Sequence, residues 1–197
     1  PDESFDAVIC TVSVEYLIRP FEVFADVARV LAQDEKRVLI IDCDLRRPRM
    51  HTLFNLDNGT GLSTYLSGNI DQPDAKVVED GNLMVINSGP VPPNPSELLS
   101  SKRMQLLMEH MQEKFDFVLL DSPPVQSVTD SLAVASAASG TIVVVQYGKT
   151  TYDMLGGGMK KLNDVNAHIL GFVINGLKKG DAGAYYYGYS GYYKKYS

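Results

Sequence analysis

Residues 37–51 read RVLIIDCDLRRPRMH, and residues 115–124 read FDFVLLDSPP. Each is a short run rich in Val, Leu and Ile that ends on an aspartate, the second followed by Ser-Pro-Pro. A strand buried on both faces of a parallel sheet has this pattern. Such a sheet would deliver Asp42, Asp44 and Asp121 to its carboxyl edge, where open α/β sheets bind ligands. Acids gathered there suit one hard cation, because Mg²⁺ takes one or two carboxylates together with phosphate oxygens and waters. The plainer reading is that these aspartates only cap strand ends and turns. The combination of D-x-D-x-R with a second strand-end acid favours the cation, and with it a nucleotide phosphate.

The rest of the chain fits the same architecture. Strand patterns at 5–11, 38–42, 83–87, 118–121, 141–146 and 169–175 alternate with helical patterns. The helices are expected from Pro20, over 62–66, from a capping Ser96 to about Lys114, over 128–139 and over 154–165, the last despite its costly Gly156-Gly157-Gly158 run. Alternation of this kind specifies a doubly wound α/β fold with a mainly parallel sheet and helices on both faces. Residues 1–182 are expected to form one such domain, and 183–197 a flexible tail.

A net charge of −6 argues against a general nucleic-acid binder, which needs clustered Lys and Arg for phosphate contacts. Cys10 and Cys43 show no metal-ligand spacing, and a reduced setting suits them better than a disulfide. No apolar run approaches the roughly 18 residues of a membrane span, and no signal-peptide pattern is present. The chain opens on Pro-Asp-Glu-Ser without a Met, which reads as a fragment.

The tail is different in kind. GAYYYGYSGYYKKYS at 183–197 carries Tyr185, Tyr186, Tyr187, Tyr189, Tyr192, Tyr193 and Tyr196. Glycine spacers and the lack of aliphatic partners leave it without a core. It reads as a low-complexity adhesive segment or, more sharply, as a multi-site phosphoacceptor. Phosphate on tyrosine adds nearly two negative charges, so several together would switch the tail to strongly anionic.

From about residue 32 the chain resembles the cytoplasmic domain of the bacterial tyrosine kinases, the family tied to capsular and exopolysaccharide export. VLIIDCDLRRPRMH resembles its Walker A′ segment, and VLLDSPPV with Thr129-Asp130 resembles its Walker B segment. GLSTYLSG, NSGPVPPNPSELLSS, GFVING and the tyrosine cluster follow in the familiar order. The resemblance implies a P-loop NTPase-like fold, ATP or ADP with Mg²⁺ as cofactors, and autophosphorylation of the tail. It implies that Asp42 lies near Mg²⁺ and accepts the tyrosine proton, and that Asp44 and Asp121 are metal ligands. It places Arg46 and Arg47 near phosphates or a subunit contact, and Asn175 near the base. The implied partners are a membrane polysaccharide co-polymerase or activator and further copies of the chain, engaged through tail docking. The implied location is cytoplasmic, at the inner face of the plasma membrane.

One element of that family is missing. A Walker A loop, G-x-x-x-x-G-K-[ST], should precede Walker A′, where its amides and Lys hold the phosphates. The first glycine here is Gly59, already downstream, and the expected position reads TVSVEYLIRP. Residues 1–31 instead resemble the middle of a class I S-adenosylmethionine-dependent methyltransferase, as though one βα unit had replaced another. Weak ATP binding and impaired kinase activity are therefore expected. The alternatives are a non-catalytic interaction module phosphorylated in trans, a relative of the partitioning ATPases, and a methyltransferase fragment.

Overall fold

A computed structural model of the chain describes residues 7–13, 20–78, 81–126 and 129–177. In chain order the elements are β1 (Ala7–Ser13), α1 (Pro20–Gln33), β2 (Val38–Asp42), α2 (Met50–Leu53), α3 (Leu62–Leu66), β3 (Ala75–Val78), β4 (Leu83–Ile86), α4 (Pro95–Leu99), α5 (Lys102–Gln112), β5 (Phe117–Asp121), α6 (Asp130–Ala137), β6 (Gly140–Gln146), α7 (Tyr152–Asp164) and β7 (Ile169–Asn175). The strands form one sheet in the order β3-β4-β2-β5-β1-β6-β7. Every neighbouring pair is parallel except β3 with β4. The doubly wound, mainly parallel fold is as expected.

Burial follows from the period-2 geometry of strands between two helical layers. All five residues of β2 are buried. Val38 and Ile40 pack with Leu119, Val85, Ala28 of α1 and Met50 of α2. Leu39 and Ile41 point the other way, into a larger cluster with Leu62, Leu99, Leu107, Val134 and Leu162 from α3 to α7. β1 lies in the interior of the sheet, between β5 and β6. The atypical first βα unit is thus built into the sheet beside the acid-bearing β5.

Three local expectations are corrected. Ala75–Val78 is an antiparallel edge strand that the alternation did not reveal. The helix expected from Ser96 to about Lys114 is two helices, broken at Ser100 and Ser101. Ser96 is not its cap: α5 starts at Ser101, whose hydroxyl accepts from the Met104 amide at 3.2 Å, and the Ser96 hydroxyl donates to Asp130 instead. α7 is capped by Thr151 and holds together across its glycines.

Candidate functional site

β2 ends on Asp42, and the chain turns through residues 43–49 into α2. Asp42 has no exposed surface. Its Oδ1 accepts from the Asp44 amide at 3.1 Å, and its Oδ2 accepts from the amides of Arg49 at 3.3 Å and Met50 at 3.2 Å. Asp44 repeats the device one step on: its Oδ1 accepts from the amides of Arg46 at 3.2 Å and Arg47 at 3.0 Å. Short acidic side chains readily bond backbone N–H groups a few residues ahead. Both acids therefore shape the turn, in line with the plainer reading, whatever else they do.

β5 brings the third acid alongside. Asp42 and Asp121 are register partners across parallel strands, which lie about 4.8 Å apart, and the Cys43 amide donates to the Asp121 carbonyl at 2.8 Å. The electrostatics follow from this crowding. Burial, opposed by the Met50 amide and reinforced by the Asp44 charge, lifts the Asp42 carboxyl to about 7. Burial also raises Asp44, against the pull of the Arg47 and Arg46 amides. Asp121 is pushed well above the ordinary carboxylate range by burial and then by the charges of Asp42 and Asp44. Among the described residues neither Asp42 nor Asp121 meets a cationic side chain, and the Asp121 carboxylate accepts no hydrogen bond. Concentrated, unneutralised negative charge of this kind fits a hard divalent cation.

The expectation that three carboxylates grip one ion needs correction. Among the described residues no group of three His, Cys, Asp or Glu side chains is arranged to hold a metal. Asp42 has both oxygens occupied by amides, so it is an anchor of the turn rather than an open ligand. Asp44 and Asp121 are half-buried, and one or two carboxylates are enough for Mg²⁺.

Arg46 is engaged inside the chain. Its Nε and Nη2 reach the two oxygens of Asp130 at 2.7 and 3.2 Å, and the Asp130 side chain is fully buried at the start of α6. Burial alone would raise the Asp130 carboxyl, but the Arg46 fork and the Ser96 hydroxyl outweigh it and leave it below the ordinary value. Arg47 is exposed, with its amide on Asp44. Asn175 ends β7, three strands from β5, where its carbonyl accepts from the Tyr147 amide at 2.8 Å. The tail tyrosines and residues 14–19, where a phosphate-binding loop is expected, lie outside the described residues.

Sequence reading missed two features of this rim. One is the contact of Asp130 with Ser96: Asp130 is marked in the sequence by its place in the Thr129-Asp130 pair after the second acidic strand, but nothing there joins it to Ser96. The other is the contact between GLSTYL and NSGP. The Leu62 and Ser63 amides donate to the carbonyls of Asn87 at 2.7 Å and Ser88 at 2.8 Å, while Asn58 and Gly89 exchange two hydrogen bonds at 2.9 and 3.0 Å. Gly61 makes the approach possible, since a Cβ there would lie 2.3 Å from the Asn87 carbonyl oxygen.

Comparison with known proteins agrees with the fold. The model of the ATPase MipZ family matches residues 23–157. The tyrosine-protein kinase ptk of Acinetobacter johnsonii is 40% identical over 159 residues, 80% of this chain and 22% of that protein. Tyrosine-protein kinase YwqD of Bacillus subtilis is 38% identical over 166 residues, 83% of this chain and 70% of that one. The solved kinase domain of Escherichia coli tyrosine kinase ETK superposes with a TM-score of 0.85 at 33% identity, covering 90% of this chain and 70% of that structure. More distantly, the fold is shared by cobyrinic acid a,c-diamide synthase from Mycobacterium smegmatis, solved with an ATP analogue and magnesium, at 17% identity and a TM-score of 0.72.

The fold and its acidic rim thus define an α/β domain of the P-loop NTPase type, within the ATPase MipZ family. More narrowly, the chain belongs to the bacterial tyrosine-protein kinase family. It spans about a fifth of the length of the Acinetobacter kinase.

Proposed function

We propose that this chain is the nucleotide-handling part of a protein-tyrosine kinase that regulates capsular or exopolysaccharide synthesis and export, and that its own hold on ATP is weak. The observation that carries the reading is the register pairing of Asp42 with Asp121, two raised carboxyls that among the described residues meet no cationic side chain. When bound, Mg-ATP supplies the transferable phosphoryl group and the metal that neutralises its developing charge. The chain's own part is positioning. Asp42 holds the turn through three backbone amides, and Asp44 and Asp121 are the carboxylates that would hold the ion. Arg47, exposed with its amide on Asp44, is assigned to a phosphate on family resemblance. Asn175 is assigned to the base and the tail tyrosines to the phosphoacceptors on family resemblance.

The weakness follows from the missing Gly-Lys-[Ser/Thr]. Each charge-assisted hydrogen bond lost from a phosphate is worth roughly 1.5–3 kcal/mol, so the absence of several lowers affinity by orders of magnitude. Among the described residues no helix is long and apolar enough to cross a membrane. The proposed setting is the cytoplasmic side of a membrane, against a co-polymerase or activator partner and further copies of the chain. A second reading, a module whose tail is phosphorylated in trans by an intact kinase, is favoured by the same missing loop.

Incubation with Mg-ATP followed by anti-phosphotyrosine blotting tests both. Strong autophosphorylation that disappears in Asp121→Ala would overturn the weak-binding proposal. Little signal alone, with ready labelling by an intact kinase of the family, is the outcome expected for phosphorylation in trans.

A further inference from the structure

The acidic rim is connected to α6 by a chain of contacts that begins at Asp130. Its carboxylate is fully buried and is held by three elements: the Arg46 guanidinium from the turn after β2, at 2.7 and 3.2 Å, the Ser96 hydroxyl from α4, and its own place at the start of α6. Arg46 then faces two ways. Its side chain grips Asp130, and its backbone amide donates to the Asp44 carboxylate at 3.2 Å. Asp44 in turn donates its amide to Asp42 at 3.1 Å. Across 84 residues of sequence, α6 is thereby coupled to the orientation of the acid that faces Asp121.

We propose that Asp130 is a positioning residue for the metal-facing turn: by clamping the Arg46 guanidinium in a two-point fork, it fixes the backbone amide that aims the Asp44 carboxylate. The inference rests on the reading of the rim as a divalent-cation site. Two features of the pair favour aiming over simple bracing. The fork is planar and bidentate, so it sets the rotation of Arg46 as well as its distance. The turn is already pinned to the core by Leu45, which is 1% exposed, so the pair acts on a segment that has another anchor.

The probe is Mn²⁺ alone, without nucleotide, titrated into the full chain and followed by the loss of its free-ion paramagnetic resonance signal. Two variants separate aiming from bracing. Arg46→Lys keeps the charge but cannot form the fork. The double variant Arg46→Met with Asp130→Leu removes both charges at no net change, and replacing a buried charge together with its partner by apolar side chains of similar size is often neutral or stabilising for the fold. Thermal unfolding is measured alongside. Residues that orient metal ligands from behind typically change metal affinity by about 10- to 100-fold when altered, and that loss is expected in both variants, with the double variant unfolding near the parent temperature. Parent-like Mn²⁺ affinity in the well-folded double variant would overturn the positioning role and leave the cation site standing. Failure of the parent chain itself to bind Mn²⁺ would overturn the proposed function and this inference together.

Discussion

Asp42 and Asp121 stand side by side at the carboxyl ends of β2 and β5, in register, and among the described residues neither meets a cationic side chain. Their chemical situations differ. Asp42 is saturated by three backbone amides, whereas the Asp121 carboxylate accepts no hydrogen bond among the described residues. Two acids that share a charge problem but not a bonding pattern should respond oppositely to the same substitution.

Asp121→Asn is expected to stabilise the metal-free chain at pH 8, because it removes a crowded charge and breaks no hydrogen bond. It should also abolish any rise in unfolding temperature on adding Mg²⁺. Asp42→Asn should do the reverse. An asparagine has one acceptor oxygen where the carboxylate has two, so at least one buried amide is orphaned, at a cost of about 1–3 kcal/mol. Urea unfolding of the two variants at pH 8, without and with Mg²⁺, checks both signs. A stabilising Asp42→Asn would contradict the anchoring role.

The same pair gives metal-free stability an unusual pH dependence. A carboxyl in an unfolded chain titrates near 3.9, while that of Asp42 in the fold is lifted to about 7 and that of Asp121 is also raised. Between about pH 4 and pH 7 the folded chain keeps protons that the unfolded chain has released, so stability falls as pH rises through that window. Asp116, held down by its hydrogen bonds from Arg37, and Asp130 act the other way: their contribution is present above the unfolded value and is lost as pH falls through the folded one. Metal-free stability should therefore be greatest near pH 4–5 and decline toward pH 7, and Mg²⁺ should restore more at pH 8 than at pH 5. Chemical unfolding at half-unit pH intervals reads this directly, and a profile rising from pH 5 to 7.5 would contradict it.

The sheet was legible in the sequence because its central strands are buried on both faces. VLIID and VLLD must be continuous apolar runs, and they end where the polar rim begins. β3 was not legible: AKVV lies at an edge, half-exposed and flanked by acids, so no alternation marks it. The break between α4 and α5 was hidden because Ser96 and Ser101 are equally plausible caps by residue type, and only the position of Asp130 decides that Ser96 points elsewhere. The acids of the site were readable as strand-end residues. Their division of labour was not, because it depends on which backbone amides the turn after Asp42 folds back. The Arg46–Asp130 fork joins residues 84 apart, a separation at which single-sequence periodicity carries no information.

The close approach of residues 61–63 to residues 87–89 makes Gly61 irreplaceable by even one carbon. A Cβ at Gly61 would lie 2.3 Å from the Asn87 carbonyl oxygen and 2.4 Å from the Gly89 nitrogen. These are backbone atoms that cannot rotate away, and they belong to the segment following β4, the neighbour of β2. Gly61→Ala should destabilise by at least the 1–3 kcal/mol or so typical of overpacking. It should also weaken Mn²⁺ binding if the displaced segment carries β4 with it. Equilibrium urea unfolding and the Mn²⁺ titration report the two effects separately.

Gly156 is the opposite case. It lies exposed within α7, and a Cβ there would meet nothing within 4 Å. Its backbone is ordinary helix, so alanine fits without strain, narrows the unfolded ensemble and improves helix propensity by about 0.8–1 kcal/mol. Gly156→Ala should therefore raise stability by roughly 0.5–1 kcal/mol, with Mn²⁺ affinity unchanged because the added Cβ touches nothing. Gly157 is a sterner comparison: its Cβ would approach the Gln126 amide nitrogen to 3.2 Å, and Gln126 bonds the Met154 carbonyl. Gly157→Ala should gain less than Gly156→Ala, or lose, depending on whether that side chain can shift. Unfolding midpoints of the two single variants, measured in parallel, give the order directly, and a larger gain at Gly157 would show that the Gln126 contact is too loose to matter.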